Sequence, residues 1–131
     1  MATQQGGIDI TLSANADLST YLYNVVEMKT TADQVGLAIS PTSNGAIPMG
    51  VLQNKPAAAG REALVRIGGT TKVVAGAAIT VGQECTFNAS GRAIAVSSAH
   101  EWRIGVAMSA AAADGDEIEM KMHGPYRVSS L

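Results

Sequence analysis

The clearest pattern in this chain is an alternation of apolar and polar positions that occurs twice. The apolar positions are Ala63, Val65 and Ile67 in the first copy and Ile118, Met120 and Met122 in the second. The positions between them are charged in both copies, except that Leu64 stands where the second copy has Glu119. A period of two is typical of a strand with one buried face. Both segments are therefore predicted to be strands that turn the same face to a core.

The two segments belong to a longer internal repeat. A shift of 55 residues places residues 36–69 on residues 91–124 without a gap, and 11 of the 34 aligned pairs are identical. Seven of these are Gly or Ala, which are abundant throughout the chain, so the shared strand phase is the stronger support. The repeat predicts a duplicated β unit that closes one core from both sides. The alternative is that two unrelated amphipathic strands happen to align.

Short strands separated by turns are predicted for most of the remaining chain. Residues 20–31 are rich in β-branched and aromatic side chains, which favour a strand. Turns with Asp or Asn first and Gly fourth are predicted at residues 33–36 and 88–91, and loops at residues 41–48 and 97–101. No segment has a convincing helical period. About ten short strands predict a mainly β fold, either a small barrel or a sandwich.

The chain is expected to form one domain with two terminal extensions. Residues 20–123 are predicted to be a single β domain, residues 1–19 a partly flexible N-terminal arm, and residues 124–131 a C-terminal tail. Ile8, Ile10 and Leu12 alternate with polar residues and indicate one short strand within the arm. The arm is either a frayed terminus or a strand that is added to the sheet of a neighbouring subunit.

Charge and hydropathy exclude several classes of function. The net charge is −2 and the chain has no run of Lys or Arg, so no binding to nucleic acid is expected. The first residues lack the basic and apolar regions of a signal peptide, and no apolar stretch is long enough to span a membrane. A charged fraction of 15% suits a protein that is buried in an assembly, and equally a plain small barrel.

Catalysis and metal binding have weak candidates only. Cys85 with His100 or His123 would supply a nucleophile and a base, but Cys85 lies in a predicted strand without the loops that such a site needs. A buried, apolar role fits this thiol better. The spacing of a calcium loop is absent from the acidic cluster of Asp114, Asp116, Glu117 and Glu119. We expect no enzyme activity, no metal and no cofactor.

Two side chains are candidates for a contact surface. Leu64 occupies an outward position in its predicted strand, where the second copy has a charged residue. Tyr126 lies in the tail and is one of only five aromatic residues in the chain. Both are predicted as interface residues.

The middle of the chain resembles the small capsid decoration (cement) proteins of tailed bacteriophages. The resemblance covers about residues 35–122 and is distributed over many weakly specific positions. The matching segments are AAAG at 57–60, ALVRIGG at 63–69, TKVVAGAAITVG at 71–82, NASGRA at 88–93, IGVA at 104–107 and DGD at 114–116. Residues 1–34 and the tail after Met122 depart from it, which leaves the contacts of both termini open.

The resemblance implies a structural virion protein of the small β-barrel type. Such a protein binds the outer surface of a capsid, bridges copies of the major capsid protein and so stabilises the head. It implies self-association, with a homotrimer favoured over a dimer, and synthesis in the host cytoplasm. The alternative is a non-catalytic β-barrel binding module of a virion tail that recognises a receptor or glycan, although five aromatic residues are few for a sugar-binding surface.

Overall fold

A computed structural model of the chain describes residues 7–42, 47–97 and 100–126. These ranges form nine strands and no helix, which confirms the mainly β prediction. The strands are β1 (Gly7–Ala14), β2 (Val25–Met28), β3 (Gln34–Leu37), β4 (Pro48–Leu52), β5 (Glu62–Val74), β6 (Glu84–Phe87), β7 (Ala93–Ala95), β8 (Arg103–Ala107) and β9 (Glu117–Tyr126). No helix within these ranges has the length and hydropathy to cross a bilayer.

Five of the strands form a closed barrel. Their order is β1-β3-β2-β4-β5, and the ring closes because β1 pairs in parallel with β3 and antiparallel with β5. Closure removes the open sheet edges that would otherwise invite aggregation. The barrel encloses a core of its own, made of Ala14, Leu18, Val26, Val35, Leu52, Ala63 and Val65.

The remaining strands form a second ring with the C-terminal part of β5. β5 pairs with β9 from Thr70 to Val74, and the order continues through β8 and β6 to β7. An isolated parallel bridge between Ala75 and Ala93 connects β7 back to the end of β5. This ring surrounds a larger core that includes Val73, Phe87, Ile104, Ile118 and Met120.

β5 is therefore shared by the two barrels. Its residues Glu62 to Gly69 pair with β1, and its residues Thr70 to Val74 pair with β9. The change of partner occurs at Gly69, which has a φ of 85°. Glycine reaches this left-handed region without the steric cost that other residues incur, so the sequence permits the change of direction here.

The strand register confirms the duplication. Val51 pairs with Arg66, and the residues 55 positions later, Val106 and Lys121, pair with each other. The duplication is also longer than residues 36–69 and 91–124. The parallel contact of Ala14 with Val35 in the first barrel has its counterpart in the bridge of Ala75 with Ala93. Each copy is thus a whole five-stranded barrel, and the equivalent of β1 in the second copy is the C-terminal part of β5.

The early part of the sequence alignment is wrong by three residues. The connection between β3 and β4 has ten residues, whereas the equivalent connection between β7 and β8 has seven. β4 and β8 match at a shift of 55, so β3 and β7, which lie before these connections, match at a shift of 58. The predicted turn at 88–91 is present, whereas the predicted turn at 33–36 lies earlier and Gly36 lies in β3. Residues 43–46 of the first predicted loop and 98–99 of the second lie outside the described ranges.

The predicted inward face of β5 is correct for two of three residues. Ala63 and Val65 are completely buried, but Ile67 is 36% exposed because it faces the space between the two barrels. Arg66, which the alternation placed outward, is only 8% exposed. Its guanidinium group donates to both carboxylate oxygens of Asp9, at 2.7 and 3.1 Å, and to the carbonyl of Thr70.

The division into arm, domain and tail stays a prediction. Residues 1–6 of the predicted arm and 127–131 of the predicted tail lie outside the described ranges. Within those ranges, the arm contributes β1 to the first barrel and the tail contributes the last three residues of β9.

Candidate interaction surface

A shallow apolar groove lies where the two barrels meet. β5 and β9 separate beyond the pair of Thr70 with Lys121. The residues of β5 that precede Thr70 pair with β1 and β4, whereas the residues of β9 that follow Lys121 pair only with β8 among the described strands. The groove lies at this divergence and is lined mainly by Met49, Val51, Ile67, Ile104, Met122 and Pro125. Among its described lining residues only His123 has an ionisable side chain.

Exposed apolar side chains adjoin this groove. Ile67 lines it and is 36% exposed, and Ile47, which is 51% exposed, directly precedes the lining residue Pro48. Burying a fully exposed side chain of this kind is worth about 1.5–3 kcal/mol, so covering the exposed part of either one is worth roughly half of that or less. A grouped set of apolar atoms without charge is characteristic of a surface that another protein covers. The groove is therefore the strongest candidate for a contact surface in the described part of the chain.

A second apolar patch lies at another part of the second barrel. Val81 and Met108 are exposed there, and the backbone N–H of Gly82 donates to the carbonyl of Ala107 at 2.8 Å, which brings their segments together. Neither side chain lines the groove. The patch offers a comparison surface of similar hydropathy.

Tyr126, one of the two predicted interface residues, belongs to a polar cluster at the end of β9. Its hydroxyl donates to Glu84, which also accepts a hydrogen bond from the Arg103 Nε at 3.0 Å. The hydrogen bond to the Glu84 carboxylate raises the pKa of Tyr126 above its ordinary value. His123 packs against the Tyr126 ring with a centroid distance of 5.2 Å. The hydroxyl is therefore already used within the chain, and Tyr126 as a whole is 44% exposed.

Leu64, the other predicted interface residue, lies in the first barrel. It is half-buried in β5, opposite Thr11 of β1, and its backbone N–H donates to the Asn54 side chain at 3.0 Å. Tyr126 belongs to the second barrel, so the two candidates lie on different halves of the molecule. An interface role for either residue stays a prediction.

The candidate nucleophile is a buried thiol. Cys85 is completely buried in the second core, and its Sγ lies 3.6 Å from the carbonyl oxygen of Gln83. Burial raises the pKa of the Cys85 thiol to about 11, so it is protonated at neutral pH. His100 is exposed, and His123 contacts Tyr126. These surroundings are those of a core residue.

The acidic residues near residue 115 hold a turn together. Asp116 accepts hydrogen bonds from the backbone N–H groups of Ala112 and Ala113, and Asp114 forms an ion pair with Arg92 at 2.6 Å. No cluster of three or more His, Cys, Asp or Glu side chains suited to a metal ion occurs among the described residues.

The groove was missed at the level of sequence, although one signal for it exists. The alternation in β5 ends at Gly68 and Gly69, whereas the corresponding residues of β9 are His123 and Gly124. A double glycine after an amphipathic strand indicates a change of direction, and strands that change direction leave space beside them. Which residues line that space depends on pairing that the sequence does not display.

Comparisons with known proteins agree with this architecture. The crystal structure of the head fiber gp8.5 N base in bacteriophage phi29 is similar, with a TM-score of 0.66 and 20% identity over 88% of this chain and 93% of that chain. At this identity the likeness concerns the fold alone. No curated protein gives a significant match. The family model described as phage cement protein matches residues 2–122, so the chain belongs to the phage cement protein family.

Proposed function

We propose that this chain is a structural virion protein that binds the outer surface of a phage capsid and stabilises the head by bridging capsid subunits. The observation that supports it most strongly is the match to the cement family over residues 2–122. The double barrel supplies what this role needs, which is a rigid body with an apolar contact surface and a weakly charged exterior.

The mechanism follows from binding linkage. A ligand that binds only the assembled shell lowers the free energy of that state and so opposes disassembly. When one molecule contacts several shell subunits, each contact after the first is effectively intramolecular and therefore favoured. The shared strand β5 makes both barrels part of one body, so force applied to one barrel is transmitted to the other.

The proposed partners are the major capsid protein and further copies of this chain. A homotrimer is favoured and a dimer is the alternative, and the protein is made in the host cytoplasm before it joins the head. The role is non-catalytic, which agrees with the buried, protonated state of the Cys85 thiol. A glycan-binding module is less well supported, because Tyr126 is the only strongly exposed aromatic among the described residues.

Add-back to capsids tests the proposal. Expanded heads that lack this protein are incubated with the purified chain, imaged by electron cryomicroscopy and heated until they release DNA. We expect added density on the outer surface only and a higher release temperature than in heads without the protein. Heads that acquire no density, or that acquire it without a gain in release temperature, would contradict the proposed function.

A further inference from the structure

The divergence of β5 and β9 leaves an open stretch of strand edge beside the groove. β9 is paired with β5 up to Lys121, and within the described residues no strand is paired with its β5-facing edge from Met122 onward. A Cβ added at Gly124 would meet no atom within 4 Å, so the face of β9 is also uncovered at this residue by the described part of the chain.

The first barrel shows what occupies the corresponding edge. His123 and Gly124 are equivalent to Gly68 and Gly69, which lie 55 residues earlier. Those two residues are paired with Ile8 and Gly7 at the start of β1. In the first copy, then, this edge is covered by two residues of extended backbone.

Within the described residues, the second copy does not cover this edge with its own strand. By the repeat, the covering residues would be Gly68 and Gly69 of β5, just before Thr70. β5 changes direction at Gly69, where its φ is 85°, and its residues before Thr70 pair with β1 and β4 of the first barrel and not with β9. The open edge therefore follows from the course of the shared strand.

From this repeat we infer that the groove and the His123–Gly124 edge bind a short extended segment of a capsid shell subunit. The inference rests on the proposed function and assigns the surface that carries it. The segment adds to β9 in the way that Gly7 and Ile8 add to β5, and it places an uncharged, apolar side chain in the groove.

The surroundings define the chemistry of this segment. Apart from His123, the lining carries no ionisable side chain, so a charged residue would be buried there without a partner. Pro125 has no backbone N–H and therefore ends the edge that can form strand hydrogen bonds. The pairing is limited to about two residues, as in the first barrel, and burial of apolar surface supplies most of the affinity.

The test compares two exposed apolar residues of similar exposure. Ile67 lines the groove and is 36% exposed, whereas Met108 lies outside it and is 40% exposed. We expect Ile67→Lys to weaken binding to heads by about tenfold or more and Met108→Lys to leave the affinity within about twofold of the unmodified protein. Affinity is measured by co-sedimentation with heads that lack the protein, and circular dichroism checks that each variant is folded.

Amide hydrogen exchange provides a readout that needs no substitution. Successive N–H groups of a strand point to opposite edges, so one of the two at His123 and Gly124 faces the added segment. That N–H is expected to exchange at least tenfold more slowly on heads than in the isolated protein. If the unmodified protein binds heads but neither amide is protected, or if both Lys variants bind equally, the inference is wrong while the proposed function stands. If the protein does not bind heads at all, the proposed function itself fails.

A second copy of this chain is the competing occupant. Analytical ultracentrifugation of the isolated protein at increasing concentration distinguishes it. Loss of self-association in Ile67→Lys with unchanged head binding would assign the groove to contacts between copies and would overturn the inference.

Discussion

At the scale of single residues, the two barrels differ at positions where the backbone turns left-handed. The second copy has glycine at two such turns, Gly82 with a φ of 87° and Gly91 with a φ of 70°. At the equivalent places in the first copy stand Tyr23 with a φ of 64° and Asp33 with a φ of 59°. A non-glycine residue in this region costs about 1–2 kcal/mol, and Asp tolerates it better than most. The first barrel is therefore the more strained of the two.

Replacing Asp33 with glycine should relieve part of this strain. We expect Asp33→Gly to raise the free energy of unfolding by about 0.5–1 kcal/mol, since glycine adopts a positive φ without a Cβ clash. Thermal and urea unfolding measure the change. Gly91→Ala is the opposite case, because its Cβ would lie 2.5 Å from Leu37 Cδ1, and it should destabilise the protein. A less stable Asp33→Gly protein would show that the carboxylate contributes more than the strain costs.

The ion pair of Arg66 with Asp9 should matter far more than an exposed pair. The side chain of Arg66 is 10% exposed and that of Asp9 is 24% exposed, and the contact is bidentate. Arg66→Met is expected to cost about 2–3 kcal/mol, because it leaves a half-buried carboxylate without its partner. Arg92→Met at the exposed pair with Asp114 should cost less than about 1 kcal/mol. Equal losses in urea unfolding would contradict this ranking.

The buried thiol predicts a loss of stability at high pH. The pKa of Cys85 rises from 9.0 to about 11 through burial, so the folded state holds its proton more tightly than the unfolded state. The free energy of unfolding therefore keeps its full value below pH 9 and falls as the pH rises towards 11. A shift of about two pKa units at 1.36 kcal/mol per unit gives a loss of up to about 2.7 kcal/mol. The test is the difference in unfolding free energy between the unmodified protein and Cys85→Ala from pH 8 to 11. A constant difference would contradict the prediction.

At the scale of strands, the sequence predicted what local alternation controls. The 55-residue shift correctly relates the hairpin of β4 with β5 to the hairpin of β8 with β9. One face of each strand is buried, and this produces an alternation of apolar and polar residues that the sequence displays. The closure of two rings could not be predicted, since it depends on the pairing of β1 with β3 and β5 across distant parts of the chain. The sequence alignment is wrong at residues 36–39 because the loops that follow differ in length between the copies. An alignment without gaps cannot accommodate the three extra residues of the first copy.

β1 should be essential to the first barrel. It is the strand that closes the ring, and Ala14 at its end is completely buried. Deletion of residues 1–14 would open the sheet on both sides of the gap and expose the core that contains Val35 and Val65. We expect the truncated chain to lose its cooperative unfolding transition, whereas deletion of residues 1–6 retains it. A truncated protein that melts like the full chain would show that residues 7–14 act as a separable arm.

At the scale of the whole molecule, the shared strand decides whether two cores behave as one. Separate barrels joined by a linker would unfold independently, but β5 contributes Ala63 and Val65 to the first core and Val73 to the second. Unfolding one barrel therefore releases a strand that also lines the core of the other. This coupling suits the proposed role, in which one rigid body contacts several capsid subunits.

The coupling predicts a single transition even when only one core is damaged. Phe87 is the largest completely buried side chain of the second core, and Phe87→Ala should cost about 3–5 kcal/mol. Fluorescence of Trp102 reports the second barrel, and exchange of amides in β1 and β3 reports the first. Both signals should shift by the same free energy, because the first barrel cannot keep β5 in place once the second has unfolded. If β1 and β3 remained protected while Trp102 reported unfolding, the barrels would be independent units and β5 would not couple them.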